Sequence, residues 1–192
     1  MRLVCAAVAL VVSMNGSDIE RALAVARARD ADRQQFHSRY VFKLGGPAVT
    51  EIEVITDFRR LVAIAEDHVL RGDWMFTRGT RAAEQALAPT RGTLLIRAQV
   101  RFNPMNTFIA APDYALAIGT PSGTTYPVDT QLMPQYSVPF KTKQGKTLSS
   151  LIGATLESTL PSEGIGQAAR AVVVTLEGKE VTRTVVDFGR LD

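Results

Sequence analysis

The chain has almost none of the side chains from which metal and thiol sites are built. It contains one cysteine, Cys5, and two histidines, His37 and His68, among 192 residues. Zinc and thiol sites need several such side chains at short spacings, and the sequence holds no His-Glu-x-x-His motif and no closely spaced histidine pair. We therefore expect no metal and no cofactor.

Motifs of the common catalytic classes are also missing. There is no Gly-x-Ser-x-Gly elbow for a serine nucleophile. Gly164-Ile165-Gly166 lacks the preceding strand and following helix that a phosphate-binding loop requires. A non-catalytic protein is favoured. The alternative is a hydrolase-like enzyme in which His68 works with a carboxylate, because a histidine base needs an orienting partner.

A strong net charge is missing too. Apolar residues make up 46% and charged residues 21%, and the formal net charge is +3. That composition is typical of a globular protein, and the charge is too small to predict nucleic-acid binding by itself. Arginine outnumbers lysine 17 to 5, which indicates a GC-rich bacterial genome through codon usage. We expect no specific nucleic-acid binding.

The first residues have the pattern of an export signal. Arg2 precedes an apolar run from Leu3 to Val12, and Val11 and Ser13 form a suitable −3/−1 pair for cleavage. Ten helical residues span about 15 Å, half of a bilayer core, so no transmembrane anchor is expected after cleavage. We predict a signal peptide at 1–14 and a periplasmic or extracellular protein; a buried N-terminal strand or helix of a cytosolic protein is the alternative.

The clearest element present is a strand from Thr93 to Phe102. Its residues alternate between a mainly apolar side and a mainly polar side, the period of a strand with one face on a core. The apolar side carries Leu94, Ile96, Ala98, Val100 and Phe102, and the other side carries Leu95, Arg97, Gln99 and Arg101.

Residues 15–92 form a predicted helical segment with short strands. Ser17 and Glu20 have the spacing of a capping box, and the helix that they begin is expected to fray between Asp30 and Gln35. A second amphipathic helix is predicted from Phe58 to Arg71, capped by Thr56 or Asp57. Short strands are expected over 39–44 and 50–55, and one more short helix over 78–88.

Residues 93–192 are dominated by predicted strands. Strands are expected over 113–119, 125–136 and 147–159, with prolines marking 125–136 as an edge and Gly153 inviting a bulge. The clearest hairpin joins 169–176 to 181–188, and its Val172-Val173-Val174 run indicates burial on both faces. The predicted fold is α+β, mainly an antiparallel β-sandwich carrying the N-terminal helical segment. The strand count also allows an immunoglobulin-like topology.

Four arginines are the first candidates for ligand binding. Arg97 and Arg101 lie on the polar side of the central strand, and Arg59 and Arg60 approach them if the second helix covers a sheet edge. Such a group attracts carboxylates or phosphates, which would make the protein an adaptor for anionic polymers. Pairing of these arginines with carboxylates on neighbouring strands is the alternative.

His68 and Trp74 complete the candidate residues. His68 lies at the border of the apolar stripe of the second helix, and Trp74 follows the end of that helix beside Met75 and Phe76. An aromatic cluster lines a ligand pocket or docks a loop onto the sheets. The leading interpretation is an exported bacterial module, used in binding or in envelope structure, whose partner is a protein or an envelope polymer. The oligomeric state is not predicted.

Overall fold

The computed structural model describes residues 14–141 and 143–191, so the predicted signal peptide lies almost entirely outside the described residues. These residues form an α+β fold with mostly antiparallel sheets, in five α-helices and eleven strands. The helices are α1 Gly16–Ala26, α2 Asp30–Ser38, α3 Asp57–Leu70, α4 Thr80–Leu87 and α5 Ser162–Ile165. No helix in the described part is long and apolar enough to cross a membrane.

The strands form a five-stranded sheet, a four-stranded sheet and a two-stranded arm. In chain order they are β1 Val41–Lys43, β2 Val49–Ile55, β3 Thr93–Arg101, β4 Tyr114–Gly119, β5 Thr125–Pro127, β6 Gln131–Tyr136, β7 Phe140–Lys141, β8 Thr147–Leu148, β9 Leu151–Pro161, β10 Ala169–Leu176 and β11 Lys179–Asp187. The sheet orders are β1-β2-β3-β9-β6 and β11-β10-β4-β5, and β7 pairs with β8. Two strands of the predicted helical segment, β1 and β2, are therefore members of the larger sheet.

The first helix starts from a different cap than the one predicted. Asn15, not Ser17, is the N-cap: its side chain accepts the backbone N–H of Asp18, and the Asp18 carboxylate accepts the N–H of Asn15. Asparagine and aspartate accept from backbone N–H groups in the same reciprocal way as the predicted serine and glutamate would, and the box forms two residues earlier. Ile19 and Leu23 lie on the buried face of the resulting helix.

The expected fraying between Asp30 and Gln35 is wrong, because a second helix, α2, forms there. Its sequence has little local support for a helix apart from acidic residues in the first turn. Phe36 is buried and its ring lies 5.1 Å from that of Tyr40 and 5.8 Å from that of Phe58. Tertiary packing of this one aromatic side chain therefore stabilises a helix that periodicity does not predict.

The helix α3 and the central strand β3 are confirmed. Thr56 caps α3 by accepting the N–H of Arg59. In β3 the burial alternates residue by residue along the strand, with Ile96 and Ala98 fully buried. β2 and β9 flank β3 on its two sides, and all nine residues of β3 pair with β9.

The predicted edges and the bulge are also found. β5 and β6, which contain Pro127 and Pro134, are each the last strand of a sheet, where proline removes no ladder donor. The pairing of β6 with β9 shifts register beside Gly153. A Cβ at that position would lie 2.4 Å from the carbonyl oxygen of Val100, so glycine permits the close strand contact.

The predicted long strand over 147–159 is divided into two parts. β9 begins at Leu151, and β8 belongs to the short arm that continues β6 and β9 beyond the five-stranded sheet. Ser137 donates its backbone N–H to the carbonyl of Ser150 at 2.8 Å at the base of the arm. Past this point the described residues of the arm are exposed to solvent.

The predicted C-terminal hairpin is β10–β11, joined by Glu177 and Gly178. Both loop residues have positive φ, 50° and 75°, which is the type I′ geometry that matches strand twist. Val172, Val173 and Val174 are fully buried, which confirms the prediction of burial on both faces.

Besides a small cluster of Ala117, Ala171 and Val173 on β4 and β10, two large apolar clusters form the interior. The larger one takes side chains from both main sheets, including Ile96 and Leu156 from one and Leu116 and Val172 from the other. The smaller one lies among the helices α1 to α4, which we call the helical unit, residues 14–40 and 57–87. Leu191 packs against both clusters.

Candidate functional site

The outer face of the five-stranded sheet carries a chain of paired charges. Glu53 on β2 lies between two arginines: its Oε1 accepts Nη2 of Arg59 at 2.5 Å, and its Oε2 accepts Nη1 of Arg97 at 3.0 Å. Arg97 also donates from Nε to Glu157 on β9 at 2.6 Å. Neighbouring strands thus provide the carboxylates, as the alternative reading of these arginines expects.

The electrostatics of Arg97 follow from this pairing. Partial burial by itself would lower the pKa of Arg97, but the hydrogen bonds and charges of Glu157 and Glu53 outweigh that effect and raise the pKa above its ordinary value. The guanidinium is therefore held by two carboxylates of its own chain. An anionic ligand would have to displace them.

Arg59 is a buried connector between α3 and the sheet. Only 7% of the residue is exposed, and its Nη1 donates to the carbonyl of Val54 at 2.7 Å. The guanidinium also lies over the ring of Tyr40, 5.1 Å from its centre, a favourable cation–π distance. These contacts place Arg59 inside the structure and fix the start of α3 against β2.

Arg60 fastens the start of α3 to the start of β3. Its Nη1 donates to Asp57 at 2.8 Å and to the carbonyl of Thr90 at 3.2 Å. The other oxygen of Asp57 accepts the N–H of Gly92 at 2.7 Å. Burial raises the pKa of Asp57, and the hydrogen bond from Gly92 and the nearby positive charges offset only part of that rise.

Arg101 differs from the other three arginines. It is the last residue of β3, its side chain is exposed, and it makes no ion pair within the part of the chain that the structure describes. The four predicted arginines therefore do not all lie together on one exposed surface. Three stabilise the junction of sheet and helices, and Arg101 lies at the opposite end of β3.

His68 has the carboxylate partner that a hydrolase-like site requires. Nδ1 of His68 lies 2.9 Å from Oδ2 of Asp73, and its ring stacks on Phe76 with centres 3.9 Å apart. The hydrogen bond from His68 lowers the pKa of Asp73. The pair is exposed at the end of α3. His68 does not line either of the two surface clefts described below.

Trp74 is exposed beside this pair. More than half of its surface, 54%, is accessible, and the neighbouring Met75 and Leu70 are also exposed. Phe76, by contrast, is buried in the cluster of the helical unit. Phe76 is therefore the residue that packs this loop onto the helical unit. Trp74 does not line either of the two clefts described below.

A second histidine–carboxylate pair was not predicted. Nε2 of His37 on α2 lies 2.9 Å from Oε2 of Glu66 on α3. The two residues are 29 positions apart, so only the packing of α2 on α3 brings them together. No local pattern in the sequence indicates this contact.

Two shallow clefts lie on the surface of the described residues. One, of about 330 Å³, lies between α1 and α2 and includes Arg21, Asp32 and Arg39. The other, of about 360 Å³, lies between the β4–β5 turn and α5 and includes Tyr126 and Arg170. Neither contains a histidine, and neither combines an acid, a base and a nucleophile in one place.

The most unusual surface lies at the end of the five-stranded sheet farthest from the helical unit. Two segments project there, the loop 103–112 after β3 and the arm 137–150 between β6 and β9, and together we call them the loop end. Of the fourteen exposed large apolar side chains among the described residues, eight lie in these segments or directly beside them. They are Met105, Phe108, Ile109, Tyr136, Val138, Phe140, Leu148 and Ile152.

The loop end is an ordered surface. The side chain of Asn106 donates to the carbonyl of Leu151 at 3.0 Å, which fastens the loop to the base of the arm. Phe108 packs edge-on against Phe102, with ring centres 5.3 Å apart. One signal in the sequence marks this region: residues 130–156 contain three lysines, Lys141, Lys143 and Lys146, and no acidic residue.

Comparison with known proteins yields no match to a family model, to a curated protein or to a solved structure. The fold and the surfaces described above are therefore the only grounds for assigning a function.

Proposed function

We propose that this chain is a non-catalytic binding module of the bacterial cell envelope that docks onto its partner through the loop end. The observation that carries the proposal is the concentration of exposed apolar side chains in that one region. Scattered exposed apolar residues are ordinary on a protein surface, whereas a contiguous group marks an interaction surface.

The exposure at the loop end is large enough to drive binding. Ile109 is 98% exposed, Met105 87% and Val138 86%. Moving one such side chain from water into an apolar environment is worth about 2 kcal/mol. Asn106 and Phe108 already hold the loop in place, so little conformational entropy is lost when the surface is covered.

The two main sheets provide the rigid support. We propose that they pack face to face as an antiparallel sandwich, since one apolar cluster takes side chains from both. An immunoglobulin-like topology remains a prediction. The helical unit lies near the start of β3 and the loop end lies past its last residue, so the binding surface is far from the helices.

Export is the second part of the proposal. We propose that the mature protein begins between Met14 and Ser17, and that it begins at Met14 if cleavage falls behind Ser13. This start retains Asn15 as the cap of α1 and keeps Met14, which is buried and accepts Nη2 of Arg91 through its carbonyl at 2.7 Å. The intact mass of protein recovered from the periplasm or medium tests this start. A soluble cytoplasmic product that retains Met1 would refute export.

Site-specific photo-crosslinking in intact cells tests the docking surface. A photoreactive side chain at Ile109 is compared with one at Leu70, which is 77% exposed but belongs to the helical unit. We expect adducts at Ile109 and few or none at Leu70. Equal labelling at the two positions, or no adduct at Ile109, would contradict docking through the loop end.

A hydrolase-like enzyme is the second candidate, and the contact between His68 and Asp73 is the observation that favours it. A carboxylate on Nδ1 leaves Nε2 as the atom that would take a proton. The test is hydrolysis of a panel of small activated esters by the purified chain. Activity that His68→Gln removes, and that Asp73→Asn reduces without unfolding, would establish this candidate.

A further inference from the structure

The apolar side chains of the loop end are arranged on projecting segments rather than in a groove. Phe140 and Leu148 are directly opposite each other in the pairing of β7 with β8, so they share one face of the arm. Val138 lies two residues before Phe140, in the irregular segment between β6 and β7, and is 86% exposed. Met105 and Ile109 project from the neighbouring loop.

Positively charged residues lie on the same segments as these apolar side chains. Lys141, Lys143 and Lys146 are exposed on the arm, and Arg101 is exposed at the end of β3. The whole chain has only five lysines, and three of them lie on this arm. The loop 103–112 and the arm 137–150 contain no acidic residue, so the two segments carry a net positive charge.

This combination fits a lipid surface better than a folded partner. A protein partner buries apolar side chains in a complementary, preformed pocket, which favours a flat or concave surface on one side. Separate projecting side chains need a medium that deforms around each of them, and the interface of a bilayer is such a medium. Lysine has a long apolar stem and a compact ammonium, so it reaches headgroup phosphates while its stem stays among apolar groups.

We propose that the loop end inserts Met105, Ile109, Val138 and Phe140 into the interface of an anionic lipid bilayer while the lysines of the arm contact the phosphates. This inference rests on the proposed function, because it names the partner of the same surface. Anionic lipid attracts each nearby lysine enough to change binding roughly fivefold. Apolar insertion and charge attraction act together, as in other peripheral proteins that need two signals for stable attachment.

Vesicle flotation of the full chain is the first experiment. Mixed phosphatidylglycerol–phosphatidylcholine vesicles are compared with pure phosphatidylcholine vesicles at low and high salt. We expect binding to the mixed vesicles, weaker binding at high salt and little binding to phosphatidylcholine alone, since screening weakens exposed charges. Equal binding to both compositions, or none to either, would overturn the lipid inference.

The charge contribution is tested with a matched pair of triple variants. Lys141→Gln, Lys143→Gln and Lys146→Gln together should weaken binding to mixed vesicles by more than about tenfold. Arg29→Gln, Arg78→Gln and Arg81→Gln remove the same charge from exposed positions in and beside the helices and should change binding less than about twofold. Similar losses in both triple variants would show attraction by net charge alone and would refute a specific surface.

The insertion is tested by a second pair and by fluorescence. Ile109→Ser with Val138→Ser should abolish flotation, whereas Leu70→Ser with Met75→Ser, at exposed positions of the other end, should not. In a Trp74→Phe background, Ile109→Trp should shift its emission to the blue with mixed vesicles. All these residues are exposed, so an unchanged melting temperature verifies the fold. An unshifted emission would refute insertion.

The outcome also separates this inference from the proposed function. Adducts between Ile109 and a protein, in the absence of vesicle binding, would overturn the lipid inference and leave docking through the loop end intact. No adduct at Ile109 and no vesicle binding would refute both.

Discussion

The five-stranded sheet ends in two different ways. Where β3 begins, the polar groups are paired: Arg60 binds Asp57 and the carbonyl of Thr90, and the apolar side chains nearby are buried in the helical unit. Where β3 ends, Ile109 and Val138 are almost fully exposed among lysines. This difference between the two ends supports our proposal that the loop end is a binding surface.

The largest expected loss of stability tests whether β3 is packed in the interior up to its last residues, next to the loop end. Val100→Asp should destabilise the protein by more than about 4 kcal/mol, because Val100 is 2% exposed and an aspartate there is a buried, unpaired charge. Arg101→Asp, at the next residue and on the exposed side, should cost less than about 1 kcal/mol. Denaturant titration of both variants measures the difference. Comparable losses would mean that β3 is not packed as described at this end.

A second pair of variants compares the two ends directly. Leu61→Ala removes a fully buried side chain of the helical unit and should cost about 2–5 kcal/mol, whereas Ile109→Ala should change stability by less than about 0.5 kcal/mol. Thermal and urea unfolding measure both values. A large loss for Ile109→Ala would show that the loop end is part of the folded interior.

Charge reversal separates the paired arginine from the exposed one. Arg97→Glu places a third carboxylate beside Glu53 and Glu157 and should lower stability by about 2 kcal/mol. Arg101→Glu should leave the melting temperature nearly unchanged and weaken retention on an anionic matrix. If Arg97→Glu reduced retention without any thermal loss, Arg97 would be a ligand-binding residue after all.

The smallest expected effect concerns Asp57. Its pKa in the folded protein is raised above the ordinary value of 3.8, so folding favours the protonated form, and that stabilising contribution is lost as the pH rises through the folded-state pKa. Asp57→Asn keeps an acceptor for Gly92 without a charge. We expect a change within about 1 kcal/mol at neutral pH and a flatter dependence of stability on pH just above 3.8. A steeper dependence in the variant would contradict the raised pKa.

The sequence predicted those helices and strands that have a strong local pattern, either a hydrophobic period or a short turn. β3, α3 and the β10–β11 hairpin each have a strong period or a two-residue turn, and each forms where it was predicted. The helix α2 was missed, because Phe36 stabilises it partly through its contact with Phe58, 22 residues away in sequence. The sequence predicted pairing of Arg97 with carboxylates as an alternative. It could not identify Glu157 as the partner, because Glu157 is 60 residues away and comes close only when β9 pairs with β3.

The candidate site shows the same division. The sequence by itself determined the alternation of β3 and the absence of acidic residues from 130 to 156, since both are properties of neighbouring positions. Only the tertiary structure decided that the loop 103–112 and the arm 137–150 lie at one end of a sheet, and that nothing among the described residues covers Ile109. Burial depends on which distant segments pack on a side chain. The residue type alone therefore does not tell whether an isoleucine lies in a core or on the surface.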